Sequence, residues 1–182
     1  MREIQLTVNG RRRRLAVADD ELLLDVLRRE FGVTSAREGC GVGACGACTV
    51  LAGGKSVSSC LSRAARYDEA EITTADGHSV SSCLARAVRY DGVPLTTADG
   101  LPQDDDVVEE FVAAGAMQCG YCIPGFVLMG HELLAENPAP TREDIAAHLE
   151  GNICRCGTYQ EICAAIEATA RRRQAEQERR SA

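Results

Sequence analysis

The chain has no tryptophan, few aromatic residues, only three histidines and no long apolar run. Each shortage excludes something. With aromatics at 4%, the core has to be assembled mainly from Ala, Val, Leu and Ile, and a large aromatic-lined ligand pocket is not expected. No run reaches the roughly 18 apolar residues of a membrane-spanning helix, so no membrane insertion is expected. The formal net charge of -7 gives no general reason to expect nucleic-acid binding. The basic run Arg11–Arg14 is not followed by the apolar stretch that a twin-arginine export signal requires, so no export signal is read. The cytoplasm is the expected location, or the periplasm if a folded partner carries the chain across. Among the three histidines there is no Ser/His/Asp grouping and no carboxylate pair with a stated partner. His78, His131 and His148 all stand outside the cysteine motifs, so no catalytic residue is assigned.

Against these shortages stand ten cysteines. Disulfide frameworks belong mostly to short secreted chains, whereas here the cysteines fall in close-set groups, which favours metal ligation. The first group is Cys40, Cys45, Cys48 and then Cys60, or C-x4-C-x2-C-x11-C. The C-x4-C-x2-C spacing is that of plant-type [2Fe–2S] sites. Gly39, Gly41, Gly43 and Gly46 give this loop the backbone freedom to wrap around a cluster. The second group is Cys119, Cys122, Cys154 and Cys156, or C-x2-C-x31-C-x-C. Its pairs stand near expected helix starts, where free N–H groups and the helix dipole favour thiolates. Zinc is the alternative metal, but the C-x-C pair is tighter than a zinc knuckle and the x4 spacing of the first group suits zinc poorly. Gly41-x-Gly43-x-x-Gly46 also matches a dinucleotide-binding fingerprint. That fingerprint needs a strand before it and a helix after it, the reverse of the order expected here, so nucleotide binding is rejected.

Several elements can be read around these groups. Ile4, Leu6 and Val8 alternate with polar residues up to Asn9-Gly10, and Leu15 and Val17 resume the pattern, which predicts a β-hairpin. Arg11–Arg14 then begin an exposed return strand. Asp20 is positioned to cap a helix running to about Arg29, with Gly32 past its end. Thr49–Ala52 and Lys55–Ser59 read as two strands joined at Gly53-Gly54. From Asp104 the character turns helical. The expected helices are one carrying the stripe Val107, Val108, Phe111, Val112 and Met117, one over about Pro124–Glu136, one starting at Thr141 and one starting near Thr158. A small α+β domain followed by a helical bundle is the predicted architecture, ending in a polar tail over 171–182.

Residues 57–77 recur at 80–100 with 15 of 21 positions identical. Two copies do not make a repeat architecture, which needs at least about three. The expected division is therefore a first domain over 1–77, a tandem duplicate inserted over 78–100, and a helical domain over 101–170.

Three strings, EGCGVGACGACTV at 38–50, GAMQCGYCIPG at 115–125 and GNICRCGTYQEI at 151–162, resemble the small iron–sulfur subunits of the molybdenum hydroxylases. That family includes xanthine dehydrogenase, aldehyde oxidoreductase, carbon monoxide dehydrogenase and isoquinoline oxidoreductase. The resemblance implies an N-terminal β-grasp, ferredoxin-like [2Fe–2S] domain and an all-α four-helix [2Fe–2S]-binding domain. It implies two [2Fe–2S] clusters here and a molybdopterin cofactor on a large partner subunit. Electrons would run from molybdenum to the helical-domain cluster, then to the ferredoxin-domain cluster, and on to an FAD-binding subunit or a cytochrome. Gln118 matches a position that hydrogen-bonds the pterin. The fourth ligand of the first cluster is offered twice. Cys60 has the family's spacing after Cys48 and is favoured, with Cys83 the alternative, and Cys163 is left as a spare thiol. The competing readings are a zinc-stabilised interaction module and a free-standing ferredoxin.

Overall fold

The computed structural model describes residues 1–57, 77–81 and 86–181, without the side chains of residues 2, 52–57 and 77–81. Its first half is a five-stranded sheet covered by one helix. Strands β1 (Arg2–Val8) and β2 (Arg11–Val17) form the predicted antiparallel hairpin, with Ile4 opposite Leu15. The turn holds Asn9 at φ 49° and Gly10 at φ 76°. Positive φ at both central residues gives the tight turn whose twist matches the strands. On β2, Arg11 to Arg14 are exposed, so the edge of the sheet is lined with charge that discourages pairing with another chain.

Helix α1 (Leu23–Phe31) buries Leu23, Leu24, Val26, Leu27 and Phe31 against Ile4, Leu6, Val8, Val17 and Val50. At about 1.5–3 kcal/mol per fully buried aliphatic side chain, this face outweighs any single polar contact in the domain. The helix begins two residues later than expected. Leu22 occupies the capping position in place of Asp20, and the Glu21 carboxylate accepts from the Ala18 N–H at 3.1 Å. Gly32 ends it in the left-handed conformation, φ 68°.

The turn expected at Gly53-Gly54 falls within one strand, whose register shifts at that point. Strand β3 (Thr49–Val57) pairs antiparallel with β4 (Gly77–Ser81) from Thr49 opposite Ser81 to Gly53 opposite Gly77; past the Gly-Gly pair the register shifts and runs back, with Lys55 opposite His78 and Val57 opposite Val80. Val50 faces Val80. The string Val-Ser-Ser occurs at both 57–59 and 80–82, so the duplication supplies a second return strand of the same pattern. β5 (Pro94–Thr96) completes the sheet in the order β2-β1-β5-β3-β4, parallel to β1 and antiparallel to β3.

The described part of the second copy is thus no appended lobe. Arg86 bridges Leu22, Ala87 and Leu95 are in the core, and the Gly92 N–H donates to the Gln5 carbonyl at 2.7 Å. The Asn9 side chain brackets Thr97 with two 2.8 Å bonds. Residues 86–100 belong to the sheet domain, where an insert had been expected. One residue separates the copies physically: Gly92 sits at φ 75°, and its counterpart in the first copy is Glu69. A side chain in that conformation costs about 1–2 kcal/mol.

The second half is four helices: α2 (Asp106–Ala113), α3 (Ile123–Glu136), α4 (Arg142–His148) and α5 (Tyr159–Ser181). Asp105 caps α2 by accepting from the Val108 N–H, and Thr141 with Asp144 forms the predicted capping box of α4. Phe111, Phe126, Ile145, Ile162 and Ile166 fill the core between them. Of the stripe expected on α2, Val107 and Phe111 are buried, but Val112 and Met117 are exposed. α2 ends at Ala113, and Met117 lies in the loop that follows. The expected tail is helical to Ser181, because Arg173 grips Asp106 with bonds of 2.5 and 2.7 Å and Arg172 reaches Glu109 at 2.6 Å.

Candidate metal centres

The first cysteine loop is an irregular segment between α1 and β3, and Gly41, Gly43 and Gly46 in it have φ of 66°, 69° and 68°. Successive left-handed residues turn backbone N–H groups toward the loop's interior. The Ala44 N–H lies 3.2 Å from Cys40 Sγ. Burial opposes ionisation of Cys40, but N–H donors from Val42, Ala44 and Cys45 prevail and hold this thiol below its ordinary pKa. Burial and the neighbouring Cys40 raise the pKa of Cys45. A Cβ at Gly39 would stand 2.6 Å from Cys45 Sγ, so the loop leaves no room there for any side chain. Cys48 is buried, directly before β3. Cys60 and Cys83 lie outside the described residues. The nucleotide fingerprint is refuted by its setting: a helix comes before the loop and a strand after it.

The second centre draws on two distant stretches. Cys119 and Cys122 lead into α3, and Cys154 and Cys156 precede α5. Folding brings the thiols together as two adjoining pairs, Cys119 with Cys156 and Cys122 with Cys154. Burial, with the adjacent Cys154, pushes Cys122 up to about 12. Cys154 is itself brought down to about 7: burial opposes this, but the Thr158 hydroxyl and N–H and the Cys122 thiol outweigh it. The Thr158 oxygen is 3.2 Å from Cys154 Sγ, and the Cys154 N–H donates to the Tyr159 hydroxyl at 2.8 Å. Cys119 is lowered chiefly by the Tyr121 N–H. Thr158 reads from the sequence as a helix cap; its contact with Cys154, four residues earlier, has no motif of its own.

The donor set fits dinuclear iron–sulfur groups. Among the described residues, no three Cys, His, Asp or Glu side chains gather around a single-ion position. A lone zinc ion needs four such ligands at one point, whereas a [2Fe–2S] group takes two at each iron, as two thiol pairs would supply. The eight described cysteines are free thiols, so the disulfide alternative fails for them. Cys163 faces the helical core, its pKa raised by burial, and takes no part in either centre.

Other sequence-derived candidates fall away from the thiols. Nε2 of His131 is 2.9 Å from Asp105 and Nε2 of His148 is 3.4 Å from Glu132, so both serve helix packing. The His78 side chain is outside the described residues. Gln118 is exposed, directly before Cys119. No described helix is long and apolar enough to cross a membrane. A cavity of about 470 Å³ beside the first loop is edged by Asp25, Arg28, Arg37 and Glu38, a charged rim that does not suit an apolar substrate.

The halves touch through the two loops. The Ile153 N–H donates to the Cys45 carbonyl at 2.9 Å, and the Tyr121 hydroxyl donates to the Glu38 carbonyl at 2.6 Å.

Comparison with known proteins follows the same division. A 2Fe-2S iron-sulfur cluster binding domain matches residues 6–88, and a [2Fe-2S] binding domain matches 97–167. The small FeS subunit of nicotinate dehydrogenase from Eubacterium barkeri is 40% identical over 163 residues, covering 90% of this chain and 91% of that protein. The nicotine 6-hydroxylase small subunit from Paenarthrobacter nicotinovorans is 40% identical over 164 residues, covering 90% and 87%. A chain in the crystal structure of quinoline 2-oxidoreductase from Pseudomonas putida 86 superposes with a TM-score of 0.76 at 32% identity, over 93% of this chain and 94% of that one. With both cysteine loops inside matched domains and whole-length relatives of this kind, the chain belongs to the small iron–sulfur subunit family of the molybdenum hydroxylases, and its role is electron transfer.

Proposed function

We propose that this chain is the wire between a separate large subunit, which carries a molybdopterin cofactor and performs the substrate chemistry, and an electron acceptor that is an FAD-binding subunit or a cytochrome. The observation that carries this reading is the meeting of Cys119, Cys122, Cys154 and Cys156 from stretches more than 30 residues apart, joined to the first loop by the Ile153–Cys45 hydrogen bond. Cys119, Cys122, Cys154 and Cys156 hold one [2Fe–2S] cluster, and Cys40, Cys45, Cys48 and a fourth cysteine hold the other. Bound there, such a group takes up and gives back one electron at a time.

The residues around the thiols do the rest. N–H groups of Val42, Ala44 and Tyr121 and the Thr158 hydroxyl stabilise negative charge on sulfur, which raises the potential at which an electron is accepted. Phe126 is buried in the same core cluster as Cys122 and Cys154, its ring edge-on to Tyr159 at 6.1 Å. Cys119 and Cys156 are exposed on the helical side, with Met117, Ile153 and Tyr159 exposed nearby. Exposed apolar side chains next to a redox site mark a docking surface, and this one suits the large subunit. Gln118 stands on it, placed to hydrogen-bond the partner's pterin. Exposed Val42, on the first loop, suits the acceptor side. Both relatives at 40% identity are named for pyridine-ring compounds, so an N-heteroaromatic substrate is the class assigned to the complex. The cytoplasm remains the location assigned.

For the fourth ligand one described flank favours Cys83, against the preference for Cys60 drawn from spacing. Arg86, three residues after Cys83, is paired with Leu22; Val57 and Val80, three residues before Cys60 and Cys83, lie opposite one another and do not separate the two.

The test is purification of the complex with iron analysis and EPR. About four iron per chain and two distinct [2Fe–2S] signals are expected, together with a co-purifying large subunit. A colourless protein holding zinc, or full activity without a large partner, would refute the reading. In Cys83→Ser the first cluster is expected to disappear while Cys60→Ser keeps both, and the opposite result returns the ligand to Cys60.

A further inference from the structure

We propose that Asn152 is the positioning residue that sets the spacing of the two centres. The proposal rests on the reading above that both loops carry clusters. Asn152 is 7% exposed and lies two residues before Cys154. Its side chain crosses to the other domain and occupies the place a side chain on Gly46 would take: a Cβ there would meet Asn152 Oδ1 at 1.7 Å and Cγ at 2.2 Å. Gly46 is between Cys45 and Cys48. On its far side, a Cβ on Gly125, in the first turn of α3 after Cys122, would meet the Gly46 carbonyl oxygen at 2.3 Å. Three segments, each next to a thiol, therefore meet at one point with no room for another carbon atom.

The rest of the junction is fixed from both directions. The Gly46 carbonyl is held by the Thr49 N–H at 3.1 Å and the Thr49 hydroxyl at 2.7 Å. On the opposite side the Asn152 N–H donates to the Leu149 carbonyl at 2.9 Å, and the next N–H, of Ile153, donates to the Cys45 carbonyl. Between these anchors the amide acts as a spacer. The Ile153–Cys45 bond ties the loops together, and the amide sets how closely the Gly46 side of the first loop approaches the Cys154 turn. Asn152 Nδ2 is buried and has no hydrogen-bond partner in the structure. Natural cores seldom leave a donor so placed unpaired unless it serves something beyond folding. The residue is kept here for its shape and place.

The consequence is measurable without turnover. Two reduced [2Fe–2S] centres are paramagnetic, and the splitting each imposes on the other's EPR signal falls steeply with their separation. In the purified complex reduced with dithionite, Asn152→Ala is expected to retain the iron content of the wild type but to show a larger splitting, as the loops close on the vacated space. Asn152→Asp keeps the size and shape of the side chain and is expected to keep the splitting. Gly46→Ala forces the same contact apart from the other loop and should reduce the splitting. Unchanged splitting in Asn152→Ala with both clusters present would overturn the proposal. So would loss of a cluster in both Asn152→Ala and Gly46→Ala, which would make the contact one of folding alone. Wild-type iron content and two EPR signals, measured alongside, test the electron-transfer reading separately from this one.

Discussion

The two cysteine centres are built on opposite plans. The first is a local loop: three thiols within nine residues, turned by left-handed glycines and laid between a helix and a sheet strand. The second is an assembly: two thiol pairs more than 30 residues apart, meeting because α3 and α5 share one core. A local loop can form its first three ligands almost alone, but its fourth must come from the neighbouring strand region, and that region exists twice in this chain. The assembled centre has no such ambiguity, since every ligand lies beside a uniquely specified helix. The price of that certainty is dependence on the whole bundle.

The largest effect follows from this contrast. Cys154→Ser removes the thiol in the second centre most strongly disposed to ionise at neutral pH. Its expected outcome is loss of that cluster alone, with iron falling from about four to about two per chain and the first centre's EPR signal intact. If both clusters were lost, the first loop would depend on the second for its formation and the plans would not be separable.

A smaller effect probes the duplicated segment. Deletion of 57–79 leaves the copy that contains Gly92, and deletion of 78–100 leaves the copy with Glu69 in its place. The two products are the same length and differ at the six positions where the copies differ. The chain keeping Gly92 is expected to be the more stable, by about 1–2 kcal/mol from the backbone term alone, in urea denaturation of the apo proteins. Equal midpoints would mean that the left-handed turn at Gly92 does not decide which copy the sheet accepts.

Much of this was legible in the chain because the signals were local. Asn9-Gly10 specified the hairpin, Thr141 with Asp144 the cap of α4, and the cysteine spacings both centres. The Gly53-Gly54 turn was a local signal too, and β3 shifts register there. A Gly-Gly pair between two polar-apolar runs is a turn signal, but pattern alone cannot show that a second Val-Ser string 23 residues later will also lie in the row, with Val80 opposite both Val50 and Val57. The contrast between Gly92 and Glu69 was visible, but its meaning depends on φ. Asn152 and Gly46 are 106 positions apart, and neither their contact nor that of Thr158 with Cys154 has a sequence period. Polar composition at 171–182 suggested fraying, yet Arg172 and Arg173 find carboxylates on α2 that only the fold aligns with them.

Those arginines carry the smallest predicted effect, and it bears on how the assembled centre is supported. Arg173 holds the Asp106 carboxyl below the ordinary carboxylate range by a hydrogen bond and by its charge, against a smaller penalty from burial. A carboxyl whose pKa is depressed in the folded state stabilises that state fully above its unfolded value, here about 3.8, and loses the contribution as pH falls through the lower folded value. Asp106→Asn should therefore be less stable than the wild type at neutral pH, and the gap should close below about pH 4. The pair is partly exposed, with side-chain exposures of 32% and 24%, so solvent and salt screen it and the expected loss is about 0.2–1 kcal/mol. Thermal unfolding of both apo proteins between pH 7 and pH 3 measures it. Because α5 carries these arginines and begins beside Cys156, looser α2–α5 packing should also make the second cluster easier to strip with a chelator, while the first is unaffected. A cluster lost equally from both centres would show that the C-terminal helix steadies the whole chain, and that the two plans share a support.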